Sequence, residues 1–226
     1  MIKAIVTDIE GTTTALSFVH DVLFPYAREH IGAYVRAHAE EPAVAEQLRA
    51  MEQESGRALT PEQGGELLQA WIDEDRKITP LKTLQGMLWE RGYRNGDFTG
   101  HIYEDAVRNL RNWHDKGIAL YVYSSGSVQA QKLLFAFSDY GDLTPLFTGY
   151  FDTHIGHKRE TSSYEVIASE VGVRAGDILF LSDVPEELDA ARAAGMQTRW
   201  LVRHSEATDP AAAHPQVKDF DAISLD

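Results

Sequence analysis

Apolar residues along this chain follow two rhythms, and the switch between them divides it. Ala4-Ile5-Val6, Ile118 to Tyr123, Asp177 to Asp183 and Thr198 to Val202 are short, nearly continuous apolar runs, the pattern of buried strands. Leu146 to His154 includes a further short one. Between residues 15 and about 100 the rhythm is helical. Phe18, Val19, Val22, Leu23, Tyr26, Ile31, Tyr34 and Val35 recur at spacings of three and four, with Ser17 as cap and Pro25 predicted to kink or split the helix. The pattern continues from Ala43 to Glu54 and breaks at Ser55-Gly56. Thr60-Pro61-Glu62 predicts a helix start, with Leu67, Leu68, Trp71 and Ile72 inward. Thr79-Pro80 predicts another, ending at Gly92. Nothing in this stretch reads as a strand.

From residue 103 strand and helix alternate. A helix carrying Val107, Leu110 and Trp113 stops at Lys116-Gly117. Others start after Ser127, near Ser162 and at Pro185, and the last stops at Gly195. The tail after His204 is weakly patterned, although Val217 to Leu225 can pack. Alternation implies a parallel sheet with right-handed crossovers, and the first strand must join it. The predicted fold is therefore α/β. It has a doubly wound parallel-sheet core, residues 1–14 and 103–226, interrupted after its first strand by an all-helical insertion, residues 15–102.

Composition narrows the function classes. Of 226 residues 43% are hydrophobic, enough for a real core, and the formal charge of −14 makes nucleic acid a poor partner. If the substrate is an anion, local cations must gather it. The absence of cysteine excludes disulfides, zinc thiolates and thiol catalysis. No basic leader and no apolar stretch of roughly 18–20 residues is visible, so a soluble, cytoplasmic protein without a membrane partner is expected.

In open parallel sheets ligands bind beyond the carboxyl ends of the strands, and the polar clusters sit at such ends. Asp8 and Glu10 follow the first strand. Residues two apart can face one pocket, and Gly11 lets the backbone turn, leaving amides able to hold an anion. Ser124 and Ser125 follow Tyr123, Asp183 ends another strand, and Lys158 lies in a loop before a helix. Asp8 and Asp183 are hard oxygen ligands suited to magnesium. Asp8 can attack phosphorus, and Glu10 can protonate a leaving oxygen and then deprotonate water. The Ser124 hydroxyl and Ser125 amide can donate to phosphate oxygens, and Lys158 supplies a point charge. Each alone has an ordinary reading as a turn, a helix cap or a solvated lysine. Their joint order at strand ends points to phosphate monoester hydrolysis.

Together these residues resemble the haloacid dehalogenase superfamily. Asp-x-Glu-Gly-Thr at 8–12 is similar to its Asp-x-Asp-Gly-Thr motif, Ser124, Lys158 and Asp183 match its later motifs in order, and the helical insertion resembles its cap domain. Glu10 departs from the usual second aspartate. That departure, with Lys77 to Trp89, Tyr121 to Ser127, Gly156-His-Lys158 and Tyr164, resembles the acireductone synthase family of methionine salvage over most of the chain. The resemblance implies a monomeric, bifunctional enolase-phosphatase. Its substrate would be 2,3-diketo-5-methylthiopentyl-1-phosphate, and its products 1,2-dihydroxy-3-keto-5-methylthiopentene and phosphate. It implies one magnesium ion per subunit, held by the Asp8 and Asp183 carboxylates and the Glu10 backbone carbonyl, with Ser124, Ser125 and Lys158 binding substrate. The enolisation base stays open among Glu10, Lys77, Lys82 and Glu104. The alternative is a generic small-molecule phosphatase of the same fold; a dehalogenase and a non-catalytic sensor are more distant readings.

Overall fold

The computed structural model describes residues 1–205 and 207–225. Six strands form one sheet: β1 (Ala4–Thr7), β2 (Ala119–Tyr123), β3 (Gly149–Phe151), β4 (Ile178–Ser182), β5 (Gln197–Leu201) and β6 (Gln216–Val217). Their order is β3-β2-β1-β4-β5-β6, and every pairing is parallel. This is the doubly wound order whose direction reverses between β1 and β4, where a crevice opens at the strands' carboxyl ends. In register, Thr7 pairs with Val122 on one side and Leu181 on the other, so Asp8, Ser124 and Asp183 leave the sheet at nearly one level. Both central strands, β1 and β4, are buried throughout, which is why they read as continuous apolar runs.

The chain divides into two compact units, Met1–Leu16 with Thr99–Asp226, and Ser17–Phe98. The first holds the sheet, with helices α6 (Glu104–Asp115), α7 (Val128–Ala136), α8 (Thr161–Val171) and α9 (Pro185–Ala193). Its core includes Val6, Tyr123, Tyr164, Phe180 and Leu188. β6 is only two residues long and carries too little pattern to be predicted. The tail nonetheless packs, because Phe220 is fully buried and stacks on Trp113 of α6, ring centroids 5.5 Å apart.

The second unit is all helical. A helical turn α1 (Leu16–Phe18) leads into a π-turn at Val19–Leu23 and then α2 (Phe24–His38), α3 (Pro42–Ser55), α4 (Pro61–Asp73) and α5 (Thr79–Asn95). Its core includes Ile31, Val35, Met51, Leu68, Trp71 and Leu84. Thr60 forms the expected cap, accepting from the Gln63 amide at 3.3 Å while Gln63 returns a bond to Thr60. Pro25 does split the helix as expected: the π-turn, in which Phe24 N–H reaches Val19 O, stands directly before it and α2 resumes at Phe24. Two expectations change. Ser17 lies inside the first helical turn, so it does not stand at the cap position. Gly92 does not end α5. It is a buried packing position, where a Cβ would come within 2.6 Å of Phe98 and 2.9 Å of Tyr26. The stop is Gly96, left-handed at φ 76°.

Candidate active site

Asp8 begins where β1 ends, its amide bonded to Leu181 O at 2.9 Å. The next residues form a tight turn around one acceptor. The amides of Thr12, Thr13 and Thr14 all point to Ile9 O, at 3.2, 2.9 and 3.0 Å, and Gly11 N–H closes on Thr14 O at 2.9 Å. The amides of Gly11 to Thr14 are thus used internally, so these four are not the amides that could hold an anion. Gly11 has a different function. At φ 72° it is left-handed, and a Cβ there would lie 2.1 Å from Asp183 Oδ2. The Asp183 carboxylate therefore lies directly against the bare backbone of the turn.

Asp183 follows β4. It is not the cap of α9, because Ser182 Oγ accepts the Val184 amide at 3.1 Å. Its own carbonyl is fixed by Trp200 Nε1 of β5 at 3.0 Å. The carboxylate is left to the crevice. Burial, then the negative charge of Asp8, push it from 3.8 to about 6.

Lys158 is aimed inward by a clamped loop. Tyr123 Oη donates to Gly156 O at 3.1 Å, Ser163 Oγ to His157 O at 2.8 Å, and Tyr164 Oη to Lys158 O at 2.7 Å. Gly156 admits this approach, since a Cβ would meet Ser163 Oγ at 2.3 Å. Burial pushes the Tyr164 phenol upward, which keeps it a donor. The Lys158 ammonium lies 2.6 Å from Asp8 Oδ1 and 2.7 Å from Glu187 Oε2, with all three side chains buried. Burial works against its charge, but Asp8 and Glu187 outweigh that and raise it to about 12.

Ser124 follows β2. Its hydroxyl accepts from Gly126 N–H at 3.2 Å and lines the crevice. Gln131 braces this loop from α7, its Nε2 donating to Gly126 O and Phe151 O, each at 2.8 Å. Ser127 is the actual cap of α7, accepting from Ala130 N–H. Ser125 is exposed at the rim.

All six residues expected from the sequence (Asp8, Glu10, Ser124, Ser125, Lys158 and Asp183) line one cavity of about 330 Å³. Glu104 is not among its lining residues; it lies exposed in the first turn of α6. Two buried groups were missed. Glu187 shares Lys158 with Asp8 and accepts from Ser182 Oγ at 3.0 Å; burial and the Asp8 charge push it up to about 7. Its signal was an acid on the face of α9 that also carries Leu188, Ala190 and Ala191. Gln131 gave no comparable signal.

A carboxylate ending the first strand, bound to a buried lysine and facing a second strand-end carboxylate, defines a class. The chain belongs to the haloacid dehalogenase-like hydrolases, whose family model matches residues 2–195. Full-length relatives narrow this to the enolase-phosphatases. The chain is 58% identical over 226 residues to enolase-phosphatase E1 of Pseudomonas aeruginosa (strain UCBPP-PA14), covering 100% of this chain and 99% of that one. It is 56% identical over 226 residues to enolase-phosphatase E1 of Serratia proteamaculans (strain 568), covering 100% and 98%. Among solved structures, the UTR4 protein of Saccharomyces cerevisiae superposes with a TM-score of 0.82 at 33% identity, covering 99% of this chain and 100% of that one. CbbY from Rhodobacter sphaeroides in complex with phosphate shares the fold, with a TM-score of 0.61 at 16% identity over 98% and 96%.

Proposed function

We propose that this chain is a magnesium-dependent enolase-phosphatase of methionine salvage. It converts 2,3-diketo-5-methylthiopentyl-1-phosphate to 1,2-dihydroxy-3-keto-5-methylthiopentene and phosphate. The observation that carries the phosphatase half is the Asp8–Lys158 contact of 2.6 Å inside a cavity that Asp183, Ser124 and Glu10 also line. The relatives' name, enolase-phosphatase E1, supports the other half.

The donor set fits magnesium. Two carboxylates face one pocket, and Asp183 is pushed upward, so a divalent cation relieves a repulsion already present. Among the described residues no group of three His, Cys, Asp or Glu side chains could hold a metal. Asp8, Asp183 and the Glu10 backbone carbonyl would hold it, with water and a phosphate oxygen completing the shell, as suits magnesium. When bound, the ion supplies positive charge to the phosphate and to a developing enolate.

The protein's own groups divide the work. Lys158 occupies Asp8 Oδ1 and leaves Oδ2 to attack phosphorus. The new bond is Asp8 O–P; the bond that breaks joins phosphorus to the substrate oxygen, which takes a proton from Glu10. Glu10 then accepts a proton from the water that attacks phosphorus and frees Asp8. Ser124, Ser125 and Lys158 hold the phosphate oxygens throughout. Enolisation removes a carbon-bound proton first, and it makes the departing oxygen part of a conjugated enol, a better leaving group than an alkoxide. Glu10 lines the cavity and is the base favoured here. The helical unit is read as the cap, and the protein as a cytoplasmic monomer.

The test supplies the diketo phosphate with magnesium and follows enediol absorbance and released phosphate together. Both signals should rise, and chelation should abolish phosphate release. Phosphate release from many sugar phosphates with no enediol signal would favour a generic phosphatase, and turnover surviving full chelation would favour a dehalogenase.

A further inference from the structure

Behind the Asp8 turn lies a buried cation that the chemistry above does not use. Arg203 follows β5, and its side chain is 7% exposed. Its Nε donates to Thr12 O at 2.8 Å. Its two terminal nitrogens meet Asp105 of α6 in a fork, Nη1–Oδ1 at 3.1 Å and Nη2–Oδ2 at 3.0 Å. The guanidinium lies 3.9 Å from the centroid of the Tyr103 ring and 5.3 Å from that of Phe220. Asp105 Oδ2 also accepts the Phe220 amide at 2.8 Å, and Tyr103 N–H donates to Thr13 O at 2.9 Å. Two consecutive carbonyls of the turn are thus held from outside, one by a charge-assisted bond.

The turn needs such a hold. Its amides donate to Thr14 O and Ile9 O, so these bonds shape the turn but do not fix where it sits. At the end of the turn His101 Nδ1 meets Thr14 Oγ1 at 3.0 Å and the Ala15 amide at 3.2 Å, leaving the Thr12 carbonyl to Arg203. Thr12 is two residues from Glu10, and Gly11 between them supports the Asp183 carboxylate. A planar fork with three directed bonds, stacked on a ring, sets a carbonyl's place more tightly than a flexible ammonium can.

We propose that Arg203, held by Asp105, is a positioning residue for the reaction. It fixes the Gly11–Thr14 turn, and through it Glu10 and Asp183, while leaving the phosphate cradle of Ser124, Ser125 and Lys158 untouched. This rests on the roles assigned to Glu10 and Asp183 above.

The test compares wild type with Arg203→Lys, Arg203→Met, Asp105→Asn, the Arg203→Met/Asp105→Asn pair and Glu10→Gln. Turnover of the diketo phosphate is measured with magnesium present, together with competitive inhibition by inorganic phosphate. Phosphate binding followed by calorimetry counts the competent sites in each sample, so partial unfolding does not enter the rates. Arg203→Met should lower kcat by about a hundredfold, as a displaced catalytic group does, with the phosphate inhibition constant within about twofold of wild type. Arg203→Lys should recover only part of the loss. The double variant should cost no more than the worse single one, because the two residues act as a unit. The idea fails if kcat per competent site stays within about twofold of wild type, or if phosphate affinity falls in step with kcat, which would mark general damage. If Glu10→Gln itself retains full turnover, the role given to Glu10 fails, whatever Arg203 does.

Discussion

Replacing Gly11 by alanine probes the contact on which the site's geometry depends. Two costs follow from the structure. The first is conformational: at φ 72° an L-residue pays roughly 1–2 kcal/mol for left-handed backbone. The second is steric. The new Cβ would stand 2.1 Å from Asp183 Oδ2 and 2.5 Å from its Cγ, so the carboxylate must swing away. Asp183 is short, and its carbonyl is fixed by Trp200, so it has little room to yield. The two costs separate in a double-variant cycle. In an Asp183→Ala background the clash is gone, and Gly11→Ala should cost only the backbone strain. In the wild-type background it should cost more, with a coupling of about 1 kcal/mol or above. Urea unfolding of the four proteins gives the cycle. Turnover of Gly11→Ala should fall about a hundredfold and need more magnesium for half-saturation. Equal stability costs in both backgrounds, with turnover within about twofold of wild type, would refute the argument.

Two further outcomes follow from the charges. Below 3.8 Asp183 is protonated whether the chain is folded or not; between there and about 6 the unfolded chain ionises more readily, so without metal stability falls as pH rises across that window. The full linkage of about 3 kcal/mol shrinks to about 1–2 kcal/mol because the group is partly open to solvent. Asp183→Asn should flatten this part of a pH series of urea midpoints, and an unchanged slope would contradict the assignment. Lys158→Met leaves Asp8 and Glu187 buried without their cation and should cost roughly 3–5 kcal/mol. Since Glu187, already pushed up to about 7, can take up a proton, that deficit should shrink toward pH 5 and grow toward pH 8. A deficit independent of pH would count against the shared ion pair.

Much of the fold was legible because a parallel strand buried on both faces has few alternatives. Ala4-Ile5-Val6 and Ile178 to Leu181 could hardly be anything else, and the polar residues that end them had to emerge at one edge of the sheet. Asp8 and Asp183 were visible for that reason. What the residues did not disclose is how polar groups are held from behind. Glu187 and Gln131 look like ordinary helix residues until the helices are packed, and Arg203 is followed by the weakly patterned tail, whose packing depends on Phe220. Glycine misled in both directions. Gly92 reads as a stop but makes room for Phe98, whereas Gly11 reads as a loose turn but is closed on itself and holds Asp183 in place.

In the proposed mechanism Asp8 carries the phosphoryl group. Acid quenching during steady turnover of the diketo phosphate, followed by peptide mass spectrometry, examines it directly. Phosphate should be found bound covalently to the peptide that contains Asp8, and Asp8→Asn should show neither that adduct nor released phosphate, although substrate still binds. An Asp8→Asn protein that releases phosphate at a near-normal rate, with no adduct found on Asp8 in wild type, would contradict it.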